Sequence, residues 1–334
     1  MSTEDQIRER IEEVIIPGAM RSLAKLNLIR EIETNDGKTN VSLASAAINT
    51  GTQNWLKHKI AEATKGLDGT KEAEITFVEE SPKNLNDIRH VVAIMSGKGG
   101  VGKSLITSLT ALSLVRRGYD VGILDADITG PSIPRMFGVT DRPFGSETGF
   151  LPPVSKTGIA IMSINLLLPN EDDAVIWRGP IIGKVITQFW EEVLWGKLDY
   201  LLIDLPPGTA DAPLTVMQTL PLSGVIITFT PQDLAAMVVR KAVQMANKMN
   251  IPIKGVVENM SYFLLPDSGK RIELFGKSNG LEMANAAGAP LLAQFPIDPQ
   301  IAQLCDEGNI ERYYSEELDM FAEAFLKATG DSVK

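Results

Sequence analysis

From Val91 onward, short and nearly uninterrupted apolar runs alternate with segments of helical period. The runs are Val91–Met95, Val121–Leu124, Tyr200–Ile203, Gly224–Phe229, Gly255–Glu258 and Leu291–Gln294. Strands that are apolar on both faces must be covered above and below, which predicts an α/β fold with a mostly parallel sheet between helices. Open sheets of this kind bind ligands at the carboxyl ends of their strands. Upstream of residue 80 the pattern changes. A helical pattern over about 4–14, two β-prone runs around Asn35-Asp36-Gly37, a helix near 52–65 and a short strand Ile75–Val78 predict a small α+β domain. The polar stretch 81–90, with Pro82, Asn84 and Asn86, reads as a linker. The expected organisation is therefore 1–80, a linker 81–90, and a larger domain 91–334, with no internal repeat.

The first run of the larger domain leads straight into Gly97-Lys98-Gly99-Gly100-Val101-Gly102-Lys103-Ser104, which fits G-x-x-x-x-G-K-[ST] and is followed by a helical segment. Glycines let backbone N–H groups close around phosphate oxygens, and the helix N-terminus adds partial positive charge. Lys103 is spaced to reach the β- and γ-phosphates, and Ser104 to ligate Mg²⁺. A chance glycine-rich turn would not need the strand before and the helix after. Two more segments follow strand-like runs: Asp125-Ala126-Asp127, and Asp204 ahead of Pro206-Pro207-Gly208. A carboxylate there can hold Mg²⁺ through water or orient an attacking water, and the Pro-Pro-Gly turn suits a segment that senses the γ-phosphate. Each Asp alone is better explained as a helix cap or turn former; beside the loop, the nucleotide reading prevails.

Composition narrows the alternatives. The 334 residues, 44% of them apolar, suffice for one large and one small domain. With 32 basic against 42 acidic residues the formal charge is −10, which argues against nucleic-acid binding and stable association with anionic membranes. No apolar run approaches the roughly 20 residues of a membrane span, and the charged, helical start is no secretory signal, so a cytoplasmic location is expected. Cys305 is the single cysteine, excluding an intrachain disulfide or a Cys-pair metal site; its helical context suggests a small buried apolar side chain. His58 and His90 have no second ligand type near them in sequence and read as surface or packing residues.

The motifs resemble those of a known group. Lys98 ahead of GlyGlyValGlyLysSer is the deviant phosphate loop of MinD/ParA-type P-loop ATPases. The chain is similar to the Mrp/ApbC branch of that group, the ATP-binding iron–sulfur cluster carriers. The matching segments are SGKGGVGKS (96–104), DADITGPSIPRMFG (125–138), WRGP (177–180), LDYLLIDLPPGTAD (198–211), TPQDLA (230–235) and GVVENMSYF (255–263). The first 80 residues resemble, more weakly, the small iron–sulfur-assembly-associated domain often fused ahead of such an ATPase. The resemblance implies a slow ATPase that uses ATP and Mg²⁺, works as a homodimer, and acts on client apoproteins or other assembly proteins. It implies that Lys98 crosses the dimer interface to the partner's nucleotide and that Asp127 positions the attacking water. It also implies that Asp204 and Ser104 support Mg²⁺, that Lys103 and the loop residues bind phosphate, and that Asn259 hydrogen-bonds the adenine edge.

The sequence departs from that branch in both regions. Members carry Cys-x-x-Cys shortly after AsnMetSerTyrPhe, so that two protomers bridge one [4Fe–4S] cluster; this chain has Leu265 and Ser268 at those positions. Leucine cannot ligate iron and a serine oxygen is a poor replacement for thiolate, so the bridging cluster is not expected here. The amino-terminal region lacks the corresponding Asp-Pro-Glu and Cys-Pro, showing Ile16-Pro17-Gly18 and Ile48-Asn49-Thr50 instead. Two other readings remain at this point: a MinD/ParA-like positioning ATPase, or an ATP-responsive scaffold without a cluster. The acidic carboxyl-terminal segment, with Leu318, Phe321 and Phe325 on one helical face, is expected to pack on its own domain rather than on a membrane.

Overall fold

The computed structural model describes residues 3–35, 38–67, 72–128, 130–168, 179–232 and 235–332. Its largest element is a seven-stranded parallel sheet. The spatial order is Ala160–Ser163, Val121–Asp125, Lys197–Asp204, Asp87–Ser96, Gly224–Phe229, Ile253–Glu258 and Leu291–Gln294. The six apolar runs all lie in strands of this sheet. The sequence pattern missed the seventh strand, Ala160–Ser163, a four-residue edge whose Ala, Ile, Met and Ser show neither alternation nor a long apolar run. It pairs in parallel with Val121–Asp125, Ser163 opposite Asp125.

Burial explains why these segments are strands. Val91–Ser96 and Gly224–Phe229 are buried throughout, as both faces of an internal parallel strand must be. One face packs Val92, Ile94, Leu202, Ile226 and Val257 against Ile106, Leu109 and Leu112 of helix Lys103–Val115 and Phe321 and Phe325 of helix Glu316–Thr329. The second helix starts where Ser315 accepts a hydrogen bond from Leu318 N, carries Glu316, Glu317 and Asp319 in its first turn, and stops at Gly330 with φ +88°. Leu318, Phe321 and Phe325 are all buried, so its apolar face packs on the chain's own core. Cys305 sits in helix Pro299–Asp306, half-buried against the same cluster.

Contacts divide the chain into two compact units. The larger comprises residues 90–140, 155–187 and 199–334 and carries the sheet. The smaller is built from 1–89 together with 141–154 and 188–198. In it, Ile29–Asn35 pairs antiparallel with Lys38–Ala44, which pairs in parallel with Glu72–Val78. The turn residues Asp36 and Gly37 lie outside the described residues. Helices Thr3–Glu12 and Thr50–Thr64 close this sheet; the second is capped by Asn49, whose side chain accepts from Thr52 N at 2.9 Å. Their Ile7, Ile11, Leu56 and Ile60 meet Val41 and Leu43, and the same cluster includes Leu151 and Leu194.

This corrects the expected boundary. Residues 81–90 are not a linker: Pro82–Leu85 is a short helix, and Asp87 begins the strand that ends at Ser96. Polarity misled because Asn86 is spent on buried backbone, donating to Val193 O at 3.0 Å and accepting from Gly196 N at 2.9 Å. Arg21, almost fully buried, likewise donates to Trp195 O at 2.7 Å.

Candidate functional site

The central strand Asp87–Ser96 delivers the loop Gly97–Gly102 at its carboxyl end, and helix Lys103–Val115 leaves from it. The glycines are needed for different reasons. At Gly97 an added Cβ would lie 2.0 Å from Val238 Cγ1 and 2.5 Å from Val238 O, so the loop passes where no side chain fits. Gly102 is the helix N-cap at φ +82°, and a Cβ there would meet Asn259 Nδ2 at 2.1 Å. A side chain at Gly100 would meet no atom of the described residues within 4 Å, so that part of the loop is open toward them on its outer side. An open loop running into the N-terminus of a 13-residue helix is a cradle for a phosphate chain.

Three carboxylates face one cation beneath this cradle. Lys103 is 6% exposed, with Nζ 2.8 Å from Asp204 Oδ1 and 3.7 Å from Asp127 Oδ2. Asp204, fully buried at the end of its strand, also accepts from Ser104 Oγ at 2.5 Å and Thr107 Oγ1 at 2.8 Å. Asp125 stands beside it in the adjoining strand, in register with Asp204. Burial, and then the neighbouring Asp204 charge, push the Asp125 carboxyl up to about 8, against an opposing pull from Lys103. Asp125 accepts from the N–H groups of Asp127, Ser132 and Ile133 and from Ser163 Oγ, and so holds the segment that carries Asp127. The Pro206–Gly208 turn is anchored on the central strand by Leu205 N to Ile94 O and Gly208 N to Ser96 O.

The structure thus brings Lys103, Ser104, Asp127 and Asp204 together. The sequence reading missed Thr107 and Ser163, and gave Asp125 no role. Thr107 was legible in principle, since it lies one helical turn beyond Lys103 and Ser104 on the same face; Ser163 belongs to the strand the pattern did not reveal. Lys98 lies away from that centre, its Nζ hydrogen-bonded to Gln232 Oε1 of the same chain. Asn259 is buried and donates Nδ2 to the loop carbonyl of Val101 at 2.9 Å, so it braces the phosphate loop. Leu265 and Ser268 lie in the turn of a small hairpin, Phe263–Leu264 paired with Arg271–Ile272. Leu265 is half-buried, Ser268 exposed, and Gly269 N donates to Leu265 O at 2.8 Å. Trp177 and Arg178 of WRGP, Asp233 and Leu234 of TPQDLA, and Thr129 fall outside the described residues.

The hard oxygen donors Ser104 Oγ and Asp204 Oδ2 meet beneath the cradle and suit Mg²⁺, which favours such ligands beside a phosphate. A parallel sheet with this loop on its central strand, a buried lysine under the loop and carboxylates at the next strand ends define a P-loop NTPase of MinD-like α/β fold. The family model of the ParA, NUBPL iron-transfer P-loop NTPase matches residues 87–330, and the chain belongs to that family. An iron-sulfur cluster carrier protein of Clostridium perfringens is 45% identical over 241 residues, 70% of this chain and 84% of that protein. Another from Synechocystis is 36% identical over 321 residues, covering 92% and 91%, so this likeness extends into the amino-terminal region. A nucleotide-binding protein of Archaeoglobus fulgidus, solved with ADP, superposes with a TM-score of 0.63 at 43% identity, over 70% of this chain and 92% of that one. No helix among the described residues is long and apolar enough to cross a membrane.

Proposed function

We propose that this chain binds and hydrolyses ATP as a homodimeric switch in iron–sulfur cluster assembly, acting on client apoproteins without holding the bridging cluster of its relatives. The observation that carries the nucleotide half is the ion cluster: a lysine buried between Asp204 and Asp127, directly under an open glycine loop. In ATP-free protein the lysine's charge is spent on carboxylates. An arriving triphosphate offers it a denser negative partner, and Ser104 and Asp204 would hold the accompanying Mg²⁺. Bound there, the metal would neutralise charge on the phosphate oxygens. Asp127, freed from Lys103, orients the attacking water, and its placement relies on the hydrogen bonds that Asp125 makes to residues 127, 132 and 133.

Lys98 supplies the further positive charge, across the dimer interface, once it leaves Gln232. Asn259 contacts the base. One Nδ2 hydrogen is given to Val101 O, and Oδ1 can accept a hydrogen bond from the amino group of adenine. The iron–sulfur half rests on the relatives named iron-sulfur cluster carrier protein, and Leu265 and Ser268 argue against cluster ligation by the hairpin itself.

Two measurements test this reading. Lys98→Ala should keep ATP affinity and lose hydrolysis, and normal turnover by that variant would refute the role across the interface. Anaerobic reconstitution should leave the purified dimer without a stoichiometric cluster; about four iron and four sulfide per dimer would show that a bridging cluster forms without the cysteines.

A further inference from the structure

Glu258 is the last residue of strand Ile253–Glu258, fully buried, immediately before Asn259. Four donors converge on its carboxylate, and all are neutral. Oε2 accepts from Ser261 Oγ at 2.6 Å, Ser278 Oγ at 2.6 Å and Gln294 Nε2 at 2.8 Å, while Oε1 accepts from Asn279 N at 2.9 Å. Breaking any of them would leave a buried polar group without its partner, so these four bonds fix the groups that make them.

The sequence positions of those donors are informative. Between Ser261 and Ser278 the chain leaves the sheet as an excursion, residues 262–277, which contains the hairpin with Leu265 and Ser268. Ser261 is its entry, Ser278 and Asn279 its exit, and one carboxylate holds both. On the other side, Glu258 is covalently joined to Asn259, whose side chain grips Val101 O in the phosphate loop. The intervening Met260 has φ +55°, a left-handed conformation that costs a non-glycine residue energy and persists only where its surroundings enforce it. Ser261 enforces it twice, through N to Phe295 O at 2.8 Å and through Oγ to Glu258. Beyond it, Tyr262 lies under the Arg271 guanidinium at 4.2 Å, so the entry is also packed against the hairpin's returning strand.

We propose that Glu258 is a positioning residue that couples the nucleotide site to the excursion 262–277. A nucleotide that immobilises the phosphate loop immobilises Val101, hence Asn259, hence the strained turn, and through Glu258 both roots of the excursion. This rests on the nucleotide-binding reading above and adds the route by which the hairpin surface responds. Coupling of this kind is reciprocal, so whatever binds the excursion also changes nucleotide affinity.

Trypsin reads the coupling directly, because Lys270, Arg271 and Lys277 are exposed within the excursion. The experiment compares cleavage rates at these sites in the full chain with and without saturating ADP, alongside binding of a fluorescent ADP analogue. Wild-type protein should be protected by ADP about fivefold or more. Glu258→Gln, which keeps the shape and turns one of the two acceptor oxygens into a donor, should weaken ADP binding and reduce the protection to less than about twofold. Ser278→Ala removes the side-chain half of the exit link and leaves Asn279 N on Oε1; it should bind ADP as wild type does and lose about half of the protection, which keeps the test decisive if the Glu258 variant fails to fold. Undiminished protection in a folded Ser278→Ala would overturn the proposal, as would wild-type protein that binds ADP with no change in cleavage. Wild-type protein that binds no ADP would refute the nucleotide reading, and this inference with it.

Discussion

Replacing Lys103 by alanine should destabilise the nucleotide-free protein in a way that depends on pH. Lys103 and Asp204 are almost wholly buried, and the side chain of Asp127 is only 12% exposed. At 2.8 Å and an effective dielectric of about 20 the Lys103–Asp204 attraction is about 6 kcal/mol, and at 3.7 Å the Lys103–Asp127 attraction is about 4 kcal/mol. Much of that offsets desolvation, so the net cost of removing the cation and stranding the carboxylates is about 3–5 kcal/mol. Asp125 is already raised to about 8 by burial and by Asp204, and Lys103 is what holds it down, so the variant raises it further. A carboxyl raised in the folded state favours folding below its unfolded value, and that contribution is lost as pH rises through the folded value. The deficit of Lys103→Ala should therefore stay nearly constant up to about pH 8, where Asp125 keeps its proton in both folded proteins, and widen from pH 8 to pH 9.5 by about 1 kcal/mol or more. Urea unfolding followed by far-ultraviolet circular dichroism, with no nucleotide present, measures it at both pH values. Coincident unfolding curves at pH 9.5, or a gap that narrows as pH rises, would show that Lys103 is not the counter-ion of this cluster.

Further outcomes follow from the same structure. Gly102→Ala places a methyl group 2.1 Å from Asn259 Nδ2 at a left-handed φ; it should weaken binding of a fluorescent ADP analogue at least about tenfold, read by titration, while circular dichroism stays native. A fragment of residues 1–80 lacks Leu151 and Leu194 of its cluster and should show no cooperative thermal transition. Leu151→Ala in the full chain should cost about 2–5 kcal/mol, read as a shift in urea unfolding. Burial pushes the Cys305 thiol up to about 11, so alkylation of the folded protein at pH 8 should be about a hundredfold slower than that of an ordinary thiol, and unfolding should abolish the difference.

The phosphate loop and its acidic partners were legible because each is a local pattern with a local cause. A loop that must wrap phosphate needs glycines and a lysine at fixed spacing, and strands covered on both faces read as apolar runs. The same reasoning placed Asp127 and Asp204 at strand ends. It failed where the cause is not local. Ala160–Ser163 is too short to announce itself. The stretch 81–90 looks like a linker because a polar side chain reads alike in sequence whether water or a buried peptide group satisfies it, and Asn86 serves Val193 and Gly196, more than a hundred residues away.

The sequence by itself therefore determined the chemistry: a P-loop on a parallel sheet, an extra lysine at position 98, and leucine and serine at 265 and 268. Only the tertiary structure decided how these parts are held. It set Lys103 between two carboxylates, turned Asn259 onto Val101, gathered four neutral donors on Glu258, and added segments 141–154 and 188–198 to the amino-terminal unit. The physical reason is range. Backbone conformation and burial period are written in neighbouring residues, whereas the partners of a buried polar group come from wherever the chain next passes, and that is fixed only when the chain has folded.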